Sequence, residues 1–414
     1  MNQQPQGRIQ QSMHSYSISK HLVYAAWLKV KANSGAAGAD NVSLEMFENN
    51  LKNELYKLWN RMSSGSYMAP PVKRVDITKP DGKTRPLGIP TVADRVAQMV
   101  VKMTLEPEWD CKFHPSSFGY RSRRSAHQAV AAAKRNCWKY TWAIDLDIKG
   151  FFDNLNHDQL QRFVAQATEN PWCKLYIKRW ITAGVQMPNG EIQTAVKDTP
   201  QGGVISPLLA NLYLHKVFDS WIKKYFPQNP FERYADDVII HCQTRQEAEQ
   251  LLSAVSQRMQ RYDLTLHPEK TKIVYCGRSK IARTIPQSFD FLGFTFRRRT
   301  ARRKDGKLFP SFAPAISNKA KQAIVKTMRE WNVRQLTLIS IVTLSKKLNP
   351  QIRGWLNYYG KFYPSALHDI REAIEFRLYK WTKCKYPKKR SSRTQAFSWL
   401  KQIKQWRPSL FAHW

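Results

Sequence analysis

Acidic residues are scarce in this sequence. Its 414 residues carry 31 Asp and Glu against 67 Lys and Arg, a formal net charge of +36. Solubility alone does not need so large an excess, so the cations must face an anionic partner. Long apolar runs are also missing. Without a stretch of about 18 apolar residues no membrane-crossing helix is expected, and the cations are spread along the chain instead of lying beside a lipid anchor. Nucleic acid is therefore the first candidate partner and membrane lipid the second. Cysteine is sparse and unpaired in sequence: Cys111, Cys137, Cys173, Cys242, Cys276 and Cys384 include no Cys-x-x-Cys. That spacing argues against a zinc site and reads as reduced core thiols of a cytosolic protein. The stretch from Met1 to Arg8 lacks the apolar centre of a secretion signal, so export is not expected.

What is present supports folding. Hydrophobic residues make up 42% and aromatics 12%, and the length suits two or three domains with a substantial core. Residues 1–18 are rich in Gln and Ser and read as disordered. A helix is predicted from Ile18 to about Ala32. A second, capped by Ser43, carries Leu44, Phe47, Leu51, Leu55 and Leu58 as one buried stripe. Val72–Ile77 reads as a strand leading to a turn at Asp81-Gly82 and a return through Pro86–Pro90. The hairpin carries Lys79, Lys83 and Arg85 near its tip, where cations could lie along a triphosphate. A helix from about Thr91 to Glu106 follows. Ser117-Phe-Gly-Tyr-Arg-Ser-Arg-Arg-Ser125 then interleaves aromatics with Arg121 and Arg124, a composition suited to bases and phosphates and equally to an ordinary helix start.

The chain is organised around Phe231-Glu-Arg-Tyr-Ala-Asp-Asp-Val-Ile-Ile-His241. Aromatic and β-branched residues flank an acidic doublet, which predicts two short strands and a tight turn holding Asp236 and Asp237 at the tip. Adjacent carboxylates repel, so such a pair faces water or holds a cation. A third carboxylate comes from Thr141-Trp-Ala-Ile-Asp-Leu-Asp147. Trp142, Ile144 and Leu146 alternate with a face bearing Asp145 and Asp147, the pattern of a half-buried strand. If the two strands are antiparallel neighbours, Asp147, Asp236 and Asp237 can converge on two Mg²⁺ ions. Between them, Thr199-Pro-Gln-Gly-Gly203 lets backbone approach a ligand closely, and the apolar run to Leu214 predicts a buried helix.

Further on, Arg245–Tyr262 reads as a helix, with Lys270 and Lys272 between strand-like pieces. Phe289–Phe296 reads as one apolar strand closing the domain, and Arg297–Lys304 as a charged, solvated loop. Composition shifts between Arg299 and Pro314, where a domain boundary is expected. The rest is predicted helical around Leu348-Asn-Pro-Gln-Ile-Arg-Gly-Trp-Leu-Asn-Tyr-Tyr359.

In order, the pieces Lys79–Pro90, Ser117–Arg124, Asp147–His157, Thr199–Leu214, Tyr234–Asp237, Leu264–Lys272, Phe291–Gly293 and Arg353–Tyr359 make the chain resemble the group II intron-encoded reverse transcriptases, or intron maturases. The resemblance implies an α+β right-hand polymerase. An N-terminal extension and fingers would occupy 19–140, a palm 141–300, and a helical thumb and maturase region 301–414. It implies metal contacts at Asp147, the adjoining Ile148 and Asp236, with Asp237 completing the acidic cluster. It implies nucleotide contacts at Lys79, Arg85, Ile148, Phe152, Gln201 and Gly202, Phe152 being the bulky residue that crowds a ribose 2′-hydroxyl. Lys270 would donate a proton to pyrophosphate, with Lys272 as competitor. Arg121, Arg124, Arg353, Trp355 and Tyr358 would touch nucleic acid.

The implied cofactor is a pair of Mg²⁺ ions. The implied partners are intron RNA as template, a DNA primer or target, and dNTPs, in the cytoplasm and on the nucleoid of a bacterium. Many members continue into a Cys- and His-bearing nicking endonuclease, whereas this sequence ends at Trp414, so priming from existing nicks or nascent strands is expected. A splicing cofactor with little polymerase role and a reverse transcriptase adopted for host defence or repair are the alternatives.

Overall fold

A computed structural model describes residues 16–78, 82, 84–193, 202–277, 279, 282–302, 305–386 and 393–414. The chain begins with α1 (Lys20–Ala32), α2 (Leu44–Asn49) and α3 (Leu51–Ser63). Ser43 accepts from the Met46 amide as predicted, but Asn50 breaks the expected single helix into two. Tyr16 and Ile18, read as part of a disordered leader, are anchored. The Tyr16 amide donates to the Ser63 carbonyl and Ile18 is buried.

A hairpin of β1 (Val72–Thr78) and β2 (Thr84–Ile89) precedes α4 (Val92–Asp110), whose N-cap is Thr91. Then come α5 (Ala126–Lys139), β3 (Trp142–Asp147), α6 (His157–Ala167), α7 (Pro171–Ile181), β4 (Val185–Gln186) and β5 (Ile192–Gln193). Next, α8 (Ser206–Leu214) runs through one π turn, His215–Asp219, into α9 (Ser220–Tyr225). The doublet hairpin is β6 (Phe231–Tyr234) and β7 (Asp237–Cys242), followed by α10 (Arg245–Gln260) and β8 (Lys272–Tyr275).

Among the described residues the central sheet has four strands in the order β6-β7-β3-β8. β3 is antiparallel to both neighbours, so the strands bearing Asp147 and the doublet are adjacent, as the argument from three carboxylates requires. One difference concerns burial. β3 is covered on both faces, not one. Ile144, Leu146, Val238 and Ile240 face the large core shared with α4, α7 and α8. Ala143, Ile239 and Val274 face a second core built by α5 and a cluster of phenylalanines. Asp145 and Asp147 share this second face by the period of two.

That phenylalanine cluster corrects the reading of the next segment. The run taken as one strand is a hairpin, β9 (Ser288–Phe291) and β10 (Phe294–Arg302), turning at Leu292-Gly293. The charged run does not form a solvated loop. Its part up to Arg302 belongs to β10, which pairs along nine positions with β11 (Leu308–Ile316), while Arg303 and Lys304 lie outside the described residues. Its inward residues Phe294 and Phe296, with Phe289, Phe291 and Phe312, supply the burial that holds the strands, while Arg297 and Arg298 are exposed. The expected boundary at Arg299–Pro314 therefore falls inside a hairpin, and the sheet runs on to Ile316.

The remainder is helical: α11 (Asn318–Glu330), α12 (Ile341–Tyr359), α13 (His368–Lys385) and α14 (Arg393–Trp406) enclose a separate core of Ile324, Met328, Leu344, Leu348, Ile374 and Leu378. Of the cysteines, Cys137, Cys173, Cys242 and Cys276 are buried thiols as predicted, but Cys111 and Cys384 are exposed.

Candidate active site

The doublet turn is tight: Tyr234 pairs with Asp237 across it, leaving Ala235 and Asp236 as its two central residues. Ala235 adopts φ 58°, a left-handed conformation that costs an L-residue about 1–2 kcal/mol. Asp237 thus starts β7, not the tip as expected, and its partner across the sheet is Asp147. Three carboxylates separated by 89 residues of sequence meet at one sheet edge.

The strained turn is braced from beneath by a buried network. Arg233 is fully buried and grips Asp219 with two bonds, Nε to Oδ1 at 2.8 Å and Nη2 to Oδ2 at 2.6 Å. Its remaining nitrogen, Nη1, donates to the Ala235 carbonyl at 3.1 Å and to Asn211 Oδ1 at 3.0 Å. Asn211 in turn donates to the Gly119 carbonyl at 2.8 Å. Gly119 lies so close that a Cβ there would come within 2.5 Å of the Ala235 nitrogen, which is why glycine stands at that position. Burial disfavours the Asp219 carboxylate, yet the Arg233 guanidinium and His215 together hold the Asp219 pKa below its ordinary value. Asp219 is the last residue of the π turn and is buried.

Electrostatics above the turn go the other way. Burial, then repulsion from Asp145, Asp236 and Asp147, pushes the Asp237 carboxyl well up, while the Leu292 backbone amide favours its ionised form. Asp145 is pushed up to about 7 by burial, opposed by Lys272 at 3.6 Å. A carboxylate cluster that raises its own pKa values this way is short of positive charge. Lys270 already answers that need, its ammonium 2.7 Å from Asp147 Oδ2. Among the described residues no three acidic, His or Cys side chains close into a ready-made cage. Asp147 and Asp236 instead stay partly exposed beside the more buried Asp237 and Asp145, hard oxygen donors of the kind that suits a cation shared with substrate phosphates. The donor set fits a divalent metal. Ile148 is buried as a side chain, so only its main chain could face a metal or nucleotide.

The two lysines separate. Lys270 sits on Asp147 and is largely exposed, whereas Lys272 is drawn to Asp145. Lys79 and Gln201 lie outside the described residues, and of Arg85 only the main chain is described. The described parts of the hairpin and of the glycine loop meet. Gly202, at φ 123°, approaches β2 so closely that a Cβ would lie 2.3 Å from the Gly88 carbonyl oxygen. The glycine loop is held from its other side by Gln98, which accepts from the Ile205 amide at 3.3 Å and donates to buried Asp94 at 2.9 Å. Phe152 is half-buried against Phe151, ring centres 5.2 Å apart.

Two of the residues expected on nucleic acid turn inward. The Arg121 side chain is only 5% exposed and pairs with Asp110 at 2.7 Å. It also donates to the main-chain carbonyls of His114 and Ser117, stitching its own loop. Tyr358 donates to the Leu292 carbonyl at 2.9 Å. Arg124 and Arg353 are exposed, and Trp355 stacks on Trp331 with ring centres 5.6 Å apart. Sequence reasoning missed Arg233, Asn211 and Asp219. The trace available was Asn211, a polar residue inside the apolar run Leu208–Leu214.

Residues 77–296 match the reverse transcriptase (RNA-dependent DNA polymerase) family, and residues 321–399 match the group II intron maturase-specific domain. Protein YkfC of Escherichia coli K12 is 33% identical over 54% of this chain and 59% of its own length. The group II intron-encoded protein LtrA of Lactococcus lactis is 29% identical over 66% of this chain and 45% of its own. Maturase-like protein 1 of Euglena longa is 25% identical over 87% and 74%. The chain thus spans about half the length of the first two of these relatives. Since the first match covers more than half of the sequence and takes in the whole acidic edge, the chain belongs to the reverse transcriptase family, with a group II intron maturase-specific domain after its polymerase part.

Proposed function

We propose that the chain is an RNA-directed DNA polymerase that copies intron RNA onto a DNA primer from dNTPs, with two Mg²⁺ ions as cofactors. The observation that carries this reading is the pairing of Asp147 with Asp237 across adjacent strands, beside Asp236 in the turn. When bound, the ions supply activation of the primer 3′-hydroxyl and neutralisation of charge on the transferred phosphate. The chain's own residues do the rest. Asp147 and Asp236 hold the metals, and Asp237, largely buried, fixes the local field. Lys270, free to leave Asp147 once a metal takes its place, gives a proton to the departing pyrophosphate. Arg85 and Lys79 grip the triphosphate, the loop at Gln201-Gly202 seats the nucleotide, and Phe152 crowds the 2′-carbon. Arg124, Arg353 and Trp355 contact the nucleic acid.

The test is primer extension on an RNA template. Asp147→Asn and Asp236→Asn should each abolish synthesis while primer–template binding stays near wild type. Normal extension by Asp236→Asn would refute the assignment. A second reading, assistance to intron splicing, is favoured by the maturase-specific match at 321–399. It predicts that the inactive variants still promote splicing of their intron RNA in vitro.

A further inference from the structure

The two glycines of the loop before α8 answer to two different neighbours. Gly202 packs on β2, where a Cβ would lie 2.3 Å from the Gly88 carbonyl oxygen, and Gly203 packs on α4, where a Cβ would lie 3.1 Å from Gln98 Oε1. The loop is clamped between a hairpin and a helix. Behind it, Ile205 stands at the N-cap position of α8 without a polar side chain to make a cap. Its amide is taken instead by Gln98 Oε1 at 3.3 Å, from a helix 107 residues away in sequence.

What directs Gln98 is a buried carboxylate. Asp94 lies four residues earlier on the same face of α4, and it is 1% exposed while Gln98 is 3% exposed. Its Oδ2 accepts from Gln98 Nε2 at 2.9 Å, and its Oδ1 accepts from the Tyr67 hydroxyl and from Trp180 Nε1, each at 2.7 Å. Burial pushes the Asp94 carboxyl above its ordinary range, and these three donors work against that rise. The order of donors and acceptors fixes Gln98. A carboxylate only accepts and a main-chain N–H only donates, so the Gln98 amide serves both in one orientation and neither when turned over. Tyr67 follows α3 and Trp180 belongs to α7, so one buried anion ties several elements to the loop.

We propose that Asp94 and Gln98 are positioning residues for the incoming nucleotide: the Asp94 carboxylate orients the Gln98 amide, and the Gln98 amide holds the glycine loop against β2 where the dNTP is seated. The proposal rests on the reading of Gln201-Gly202 as the nucleotide seat. It goes beyond that reading by placing part of the control of nucleotide affinity in two buried side chains behind the loop.

The experiment is single-nucleotide incorporation by the full chain on an RNA template with a DNA primer at varied dNTP, with melting temperature and primer–template Kd measured for each variant. Gln98→Met keeps the length and loses both polar ends, so the loop is released while the core stays filled. The KM for dNTP should rise about tenfold on loss of this buried hydrogen bond, with kcat within about threefold and primer–template Kd within about twofold of wild type. Asp94→Asn should raise KM by a similar factor. The new amide keeps its oxygen toward Tyr67 and Trp180 and turns an N–H toward Gln98, which must flip and give up the Ile205 amide. Adding Gln98→Glu to Asp94→Asn moves the carboxylate one turn along the helix and sets a donor against an acceptor at each step again. The double variant should return to within about threefold of the wild-type KM.

A folded Gln98→Met enzyme with the wild-type KM for dNTP would overturn the proposal, as would one in which only kcat falls. So would a double variant no better than Asp94→Asn alone, which would show that the direction of hydrogen bonding at these positions is immaterial. Should Asp94→Asn fail to fold, Gln98→Met decides by itself. Gly202→Ala separates the two readings. If it also leaves KM unchanged, the nucleotide is seated elsewhere and both readings fall, whereas a raised KM in Gly202→Ala beside an unchanged Gln98→Met sinks this one alone.

Discussion

Replacing Arg233 with lysine separates the charge of the buried brace from its geometry. Arg233 makes four hydrogen bonds: two to Asp219, one to Asn211 and one to the Ala235 carbonyl. Lysine keeps the positive charge beside Asp219, so no carboxylate is left buried alone and the fold should survive. It offers a point charge instead of a planar fork, so it cannot reach Asp219 and Ala235 together. Two lost bonds at about 1–1.5 kcal/mol each put the destabilisation near 2–3 kcal/mol.

The catalytic effect should exceed what that loss of stability explains. Without the bond to its carbonyl, Ala235 can leave φ 58° and recover about 1–2 kcal/mol of strain. An equilibrium shifted by about 1.4 kcal/mol depopulates the competent turn roughly tenfold. Single-nucleotide incorporation should therefore show kcat down about tenfold at unchanged primer–template Kd. Wild-type kcat in a folded Arg233→Lys enzyme would show that the turn needs no brace.

The acid limb offers a second readout of the same network. Asp219 is held below its ordinary pKa by Arg233 and His215 against the cost of burial. The carboxylate's contribution is therefore fully present above the unfolded value of about 3.9, and is lost as pH falls through the lower folded value. Asp219→Asn should be less stable at neutral pH, and the difference from wild type should shrink as unfolding is measured toward that acid range.

Two further outcomes are expected. Gly202→Ala places a methyl 2.3 Å from the Gly88 carbonyl oxygen at a φ that L-residues avoid, so it should raise the KM for dNTP or abolish incorporation while the melting temperature changes by only a few degrees. Equal KM values would show that the glycine loop does not seat the nucleotide. Phe152→Ala should relax discrimination against ribonucleotides by about tenfold or more if its ring blocks a 2′-hydroxyl, read as the ratio of kcat/KM for dNTP and rNTP. An unchanged ratio would move that role elsewhere.

Much of the site was legible in the sequence because strand alternation and turn chemistry are local. The period of two put Asp145 and Asp147 on one face of a strand, and the flanks of the doublet gave the second hairpin. The position of Ser43 as a cap, and the buried helix after the two glycines, were equally local. Errors came where a nonlocal partner decided the outcome. Arg297–Lys304 looked like a solvated loop because its charges are visible in sequence, whereas the phenylalanines that make its part up to Arg302 a strand are contributed from Phe289 to Phe312. Arg121 and Tyr358, which the resemblance places on nucleic acid, are tied down by partners distant in sequence. Their hydrogen bonds to Asp110 and Leu292 are absent from any local pattern.

By itself the sequence determined the strand pair, the three carboxylates and the excess of positive charge, since composition and periodicity along the chain act over a few residues. Only the tertiary structure decided that Asp147 lies opposite Asp237, that Lys270 and not Lys272 rests on it, and that Arg233 and Asn211 hold the turn. Those outcomes depend on which strands become neighbours and which polar groups are shut away from water together. That choice is made by the whole buried surface at once, so no short stretch of residues records it.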